Sequence, residues 1–214
     1  MEQNGFSFDA VILAGGRSSR LGGVPKQDLV FQHATLLERA IAAATGASGV
    51  VVVGPGPENP VPGVLWCREQ PAFAGPAAAI SAGLAALARH GGSASVYTLV
   101  LACDMPLVKD AVAALRIALA SGDGDGVVAR SHDGKLQPLA GFYRTAVLTR
   151  SAAELSSRGA LINGSVRSLL ASLDVQPVTV PPGSTADVDT WDDAAGLGVA
   201  PGFQDTGQDR RNRS

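Results

Sequence analysis

The sequence predicts an α/β fold with a mostly parallel sheet. Short apolar, β-branched runs alternate with helix-patterned stretches along most of its 214 residues, and Gly/Pro-rich turns separate them. A third feature supports this reading: a cationic, glycine-rich stretch directly follows the first apolar run. In open parallel sheets, ligands collect beyond the carboxyl ends of the strands.

Phe8 to Ala14 reads as a buried strand that ends at Gly15-Gly16. Thr35 to Thr45 reads as a helix. Thr35 is its N-cap, Glu38 completes a capping box, and Leu36, Leu37, Ala40, Ile41 and Ala44 form its apolar stripe. Gly49 to Val53 is a valine run of the kind found in parallel strands. Gly54 to Gly63 holds four prolines and is loop. Val64 to Cys67 suits a short strand. Pro76 to Arg89 suits an Ala-rich helix with proline in its first turn. Strands are expected at Tyr97–Ala102, Gly126–Ala129, Gln137–Tyr143 and Val175–Val180, and a polar turn at His132-Asp133-Gly134. Helices are expected at Asp110–Ala120, Thr145–Leu155, Ser165–Leu173 and Thr190–Ala195. The loops after the first, the Tyr97 and the Gln137 strands are expected to share the ligand region. One domain over residues 1–197 is expected, with 198–214 a polar, disordered tail.

Composition narrows the function classes. A net charge of −2 argues against a nucleic-acid partner held by a basic field. No apolar run reaches the roughly 18 residues of a membrane helix, and the first residues lack a signal peptide's basic start. Cys67 and Cys103 form no CxxC pair, so reduced thiols in a cytoplasmic protein are expected, with Cys103 a small buried residue. His33, His90 and His132 fall in polar or element-end positions and read as surface residues.

The stretch Gly15 to Lys26 holds no carboxylate. Its glycines allow close backbone approach, consecutive N–H groups can cradle an anion, and Arg17, Arg20, Lys26, Ser18 and Ser19 add charge and donors. A polyphosphate suits this chemistry. Neither the Walker A spacing nor the Gly-x-Gly-x-x-Gly fingerprint is present. Asp104, at a strand end in Cys-Asp-Met-Pro, is either a Mg²⁺ ligand or an N-cap or turn residue before Pro106. Asp189, in Asp187-Val188-Asp189-Thr190, is either a second metal ligand or, like Thr190, a cap of the last helix.

The run Leu13-Ala14-Gly15-Gly16-x-Ser18-x-Arg20-Leu21-Gly22-Gly23-x-x-Lys26 resembles the signature of the molybdenum cofactor guanylyltransferases, and the resemblance extends to about Leu197. It implies a Rossmann-like three-layer α/β/α nucleotidyltransferase fold with a mixed sheet. It also implies an enzyme that moves GMP from GTP to molybdopterin, or its molybdenum-loaded form, and releases pyrophosphate with Mg²⁺ as cofactor. Other proteins of molybdenum cofactor synthesis, or target enzymes, are implied partners. By position, Leu13, Ala14, Gly15, Gly16, Gln70 and Gly75 would bind the nucleotide. Arg20 and Lys26 would hold its phosphates, and Asp104 and Asp189 the metal. Gln137, Pro138, Arg158 and Arg167, with Asn163 and Ser165 nearby, would meet the acceptor. The sequence departs from the family in having Pro25 where Asp usually precedes the lysine, and Gln70 where an Asp is common. Its Asp187-x-Asp189 replaces the guanylyltransferases' Asn-x-Asn and resembles the wider nucleotidyltransferase group. Two alternatives are a cytidylyltransferase, or a transferase for another small phosphate, and a non-catalytic nucleotide-binding protein that delivers cofactor.

Overall fold

A computed structural model describes residues 6–16, 18–57, 60–90 and 95–202. Its main sheet has seven strands: β1 (Phe8–Leu13), β4 (Val50–Val53), β5 (Val64–Cys67), β6 (Tyr97–Ala102), β7 (Gly126–Arg130), β8 (Leu136–Arg144) and β9 (Val175–Thr179). The order across the sheet is β5-β4-β1-β6-β8-β7-β9. β8 alone runs against the rest, pairing antiparallel with both β6 and β7. A two-stranded hairpin, β2 (Val30–Phe31) and β3 (Ala34–Thr35), stands apart. The helices are α1 (Leu36–Ala43), α2 (Pro76–His90), α3 (Val108–Leu119), α4 (Thr145–Ser157), α5 (Val166–Leu170) and α6 (Trp191–Leu197).

Side chains alternate across a strand, so β1 feeds two cores. Phe8, Ala10 and Ile12 pack with α1 and α3 on one face, around Leu99, Leu101, Leu115 and Phe142. Val11 and Leu13 pack with α2, α4 and α5 on the other, around Val51, Ile80, Leu148 and Leu169. These are the three layers the family resemblance implies. Gly83 in α2 has a steric cause. A Cβ on Gly83 would sit 2.7 Å from Val11 Cγ1, so only glycine lets the helix lie this close to β1. Among the described residues, no helix is long and apolar enough to cross a membrane.

A third, smaller core serves the site. Leu21, Leu29, Phe31, Leu36, Val188, Ala194 and Val199 pack together. They tie the glycine-rich stretch to α6 and to the segment beyond it. This core also involves the first residues of the expected tail. Gly198 caps α6, Val199 is buried, and Ala200 pairs with Val30 through hydrogen bonds of 2.8 and 2.9 Å. Residues up to Ala200 thus pack with the residues before Leu197, and 203–214 lie outside the described residues.

Candidate active site

β1 and β6 lie side by side and parallel, with Leu13 opposite Ala102. Their carboxyl ends therefore deliver Ala14–Gly16 and Cys103–Asp104 to one edge. A cleft of about 540 Å³ opens there. Leu13, Ala14, Gly15, Gly16, Ser18, Ser19, Arg20, Lys26, Gly75, Asp104 and Asp189 all line it. Nine of these carry the roles expected for nucleotide, phosphate or metal. Arg17 lies outside the described residues.

The glycine-rich stretch turns on itself rather than crossing the cleft as a plain loop. Ser18, Gly22 and Gly23 take the left-handed conformation, with φ of 43°, 66° and 86°. The Ser18 carbonyl accepts from Leu21 N at 3.0 Å and Gly23 N at 3.1 Å. Leu21, fully buried, anchors this turn, so its neighbour Arg20 projects outward. Pro25 begins a short 3-10 turn over Lys26–Asp28, anchored by buried Leu29.

Lys26 lies between the two candidate metal carboxylates. Its Nζ donates to Asp104 Oδ2 at 2.8 Å and also to Asp189 Oδ1. Arg20 Nη1 stands 4.0 Å from Asp189 Oδ2. Among the described residues, these are the only ion pairs within 4.0 Å, so the ion pairing concentrates in this cleft. Burial alone would lower the Lys26 ammonium pKa. The Asp104 charge and hydrogen bonds to both carboxylates outweigh it and hold the pKa above 10.5. Burial raises the Asp104 carboxyl above 3.8, and Lys26 only partly opposes that.

The structure also separates capping from other roles. Thr190 is the N-cap of α6, in a capping box with Asp193. The Asp189 side chain takes no part in that cap and faces Lys26. Val188 is buried, and its N–H donates to the Asp104 carbonyl at 3.0 Å, which fixes the 187–189 segment beside β6. α3 begins at Val108 without a side-chain cap, so Asp104 does not cap it. Cys103 is buried, which pushes its thiol pKa far up. His33, His90 and His132 are exposed.

Three expectations come out differently in space. Gln70 is exposed and does not line the cleft. Its neighbour Glu69 does, 8% exposed, with Oε1 accepting from Phe73 N at 2.8 Å. The loop after β8 is not at this edge: β8 is antiparallel, so its beginning is there instead, and Leu139 lines the cleft. Gln137 lines a second hollow of about 390 Å³, together with Ser131, His132, Lys135, Thr185 and Asp187. The Pro138 carbonyl is taken by the Tyr143 hydroxyl at 2.8 Å. Arg158 and Arg167 are exposed and line neither hollow.

Among the described residues, no group of three or more His, Cys, Asp or Glu side chains could hold a metal ion. The carboxylates available to a cation beside Lys26 in the cleft are those of Asp104 and Asp189. That set fits Mg²⁺, which binds through one or two carboxylates and completes its shell with phosphate oxygens and water.

A doubly wound sheet with one reversed strand, and a basic–acidic cleft at its carboxyl edge, define a Rossmann-like nucleotidyltransferase architecture. The chain belongs to the MobA-like NTP transferase domain family, whose model matches residues 10–178. Curated relatives include the probable molybdenum cofactor guanylyltransferases of Methanosarcina acetivorans and Nostoc sp. The first is 30% identical over 66% of this chain and the second 34% over 64%; each alignment covers 66% of the relative. The chain thus spans about two-thirds of the length of these relatives. Among solved structures, Rv0371c of Mycobacterium tuberculosis H37Rv matches with a TM-score of 0.66 at 24% identity, covering 91% of this chain and 98% of that one. Its complex with manganese matches at 0.63 and 23%, covering 89% of this chain and 97% of that one.

Proposed function

We propose that this protein is a molybdenum cofactor guanylyltransferase, transferring GMP from GTP to molybdopterin with release of pyrophosphate. One observation carries this reading: Lys26, Arg20, Asp104 and Asp189 converge with the Gly15–Gly16 backbone in one cleft. The names of the curated relatives support the guanine and molybdopterin assignments.

The acceptor's terminal phosphate oxygen attacks the α-phosphorus of GTP, and the bond from that phosphorus to the β-phosphate oxygen breaks. The attacking group is already an anion, so no protein base is required. Asp104 and Asp189 would hold a Mg²⁺ ion, which would supply neutralisation of phosphate charge at the α-phosphate. The manganese complex of the mycobacterial relative supports divalent-metal use, and Mg²⁺ is the natural choice for this donor set. Lys26 and Arg20 bind the β- and γ-phosphates and stabilise the charge that grows on pyrophosphate. Backbone groups of Leu13–Gly16 hold the nucleoside.

Glu69 takes the base-reading role expected of Gln70. A carboxylate accepts well from the adjacent N1–H and N2–H donors of guanine, and cytosine has no such pair. The second hollow takes the acceptor. It shares the 187–189 segment with the cleft, and Lys135, Gln137, Ser131 and Thr185 offer it a cation and neutral donors. Arg158 and Arg167 then act, if at all, outside the bound acceptor. Cys67 and Cys103, neither in a disulfide, suit a cytoplasmic enzyme.

Titrating GTP and CTP into the protein with Mg²⁺ tests the reading. GTP is expected to bind at least about tenfold more tightly, the scale of one buried charged hydrogen bond. Equal affinity, or a preference for CTP, overturns the guanine assignment.

A further inference from the structure

One ammonium cannot occupy the space between Asp104 and Asp189 while a metal ion does. Lys26 Nζ donates to one oxygen of each, Asp104 Oδ2 at 2.8 Å and Asp189 Oδ1. A cation bridging both carboxylates competes with the ammonium for those oxygens and for the space between them. The Lys26 backbone has little freedom to give way. It is fixed by the turn that Pro25 starts, with Asp28 N donating to the Pro25 carbonyl at 3.1 Å and Leu29 N to the Lys26 carbonyl at 3.2 Å. The side chain must do the moving, through its four flexible methylenes.

We propose that Lys26 is a built-in stand-in for the metal: it clamps Asp104 and Asp189 together and keeps free divalent cations out until a triphosphate draws its ammonium away. The inference rests on the reading of these two aspartates as metal ligands. A polyphosphate offers Lys26 oxygen partners of higher charge density than either carboxylate. When Lys26 turns to them, both aspartates are released together, and the metal enters as part of the nucleotide complex. Metal and nucleotide thus bind as one unit, and the protein without nucleotide is protected from stray cations. Arg20 plays no part in the clamp. At 4.0 Å from Asp189 Oδ2 it contributes field without filling the ligand position.

The test uses the full chain and Mn²⁺ alone, with no nucleotide or acceptor. Electron paramagnetic resonance counts free Mn²⁺ against wild type, Lys26→Met, Arg20→Met and the double variant Lys26→Met/Asp104→Asn. Circular dichroism checks that each is folded. Wild type is expected to bind Mn²⁺ weakly. Lys26→Met is expected to gain one site at least about tenfold tighter, because the competent state is no longer a minor population. The double variant is expected to lose that site. Arg20→Met removes the same unit charge from beside Asp189 and is expected to tighten binding by clearly less than Lys26→Met does. Three results each overturn the clamp: wild type binding as tightly as Lys26→Met, no site in Lys26→Met, or Arg20→Met matching Lys26→Met. Failure here is distinct from failure of the function. A chain that turns over GTP without this Mn²⁺ behaviour has no clamp. A chain with the clamp but without turnover is not the proposed enzyme.

Discussion

Lys26 and Asp104 carry the chemistry at the scale of single residues. Removing one preorganised positive group from a phosphate-transfer site costs on the order of 10²–10³ in rate. Lys26→Met is therefore expected to lower kcat by about that factor in a pyrophosphate-release assay. The variant's melting temperature should fall at neutral pH, because the substitution leaves the largely buried Asp104 carboxylate beside Asp189 without the ammonium between them. The raised Asp104 pKa has a signed consequence. Between 3.8 and its folded pKa, the folded carboxyl holds a proton that the unfolded chain has released. Protonation there favours the fold and removes a metal-binding carboxylate. Activity should fail on the acid side before stability does, at a pH above an ordinary aspartate's. Residual turnover of Lys26→Met, lacking the opposing charge, should fail at a higher pH still. Lys26, Arg20 and Asp104 stand out in the sequence because glycine content, charge sign and strand ends point the same way, whereas Gly75 is picked out only by the family resemblance of its Gly-Pro segment. Glu69 does not stand out, since spacing in a Pro- and Phe-containing loop does not say which of two adjacent side chains turns inward. Asp189 and Thr190 are equally ambiguous as neighbours, and only the capping box assigns the cap to Thr190.

Elements read well wherever a hydrophobic period or a cap is present. The Thr35–Glu38 capping box and the Tyr97–Ala102 strand occur as the residues predict. The hairpin β2–β3 escapes such reading. Its strands have two residues each, and its turn residues Gln32 and His33 adopt φ of 47° and 69° without the Asn-Gly signal usual for that geometry. The reversal of β8 was available from the short His132-Asp133-Gly134 turn, because parallel neighbours need a far longer crossover. Two substitutions probe this scale. Thr190→Ala should cost about 1 kcal/mol by urea denaturation, as loss of an N-cap does. The Asp193 carboxyl, held below 3.8 chiefly by the Thr190 hydroxyl, supports that cap above pH 3.8 and loses it as pH falls through the folded value. Amide exchange over 190–197 should therefore accelerate early in an acid titration. Gly83→Ala should destabilise by about 1–3 kcal/mol through overpacking against Val11, although alanine is the better helix former.

Over the whole molecule, the sheet order brings β1 and β6 together, and the third core holds the phosphate stretch against α6. That core is hard to read from sequence, since its members lie far apart in the chain. Val199 belongs to it, so a chain ending at Leu197 should be less stable than one ending at Gly202. The difference should be about 1–3 kcal/mol, the scale of burying one valine and its strand contact. Calorimetry of the two chains measures it, and equal melting temperatures would place the boundary at Leu197. The proposed function itself is tested most directly by following the label from α-phosphate-labelled nucleotides into product, with molybdopterin and Mg²⁺ present. Label from GTP should appear in a molybdopterin dinucleotide with one pyrophosphate released per transfer, and Asp104→Asn should abolish it. Transfer from CTP in preference to GTP, or GTP bound with no label transferred, would contradict the account.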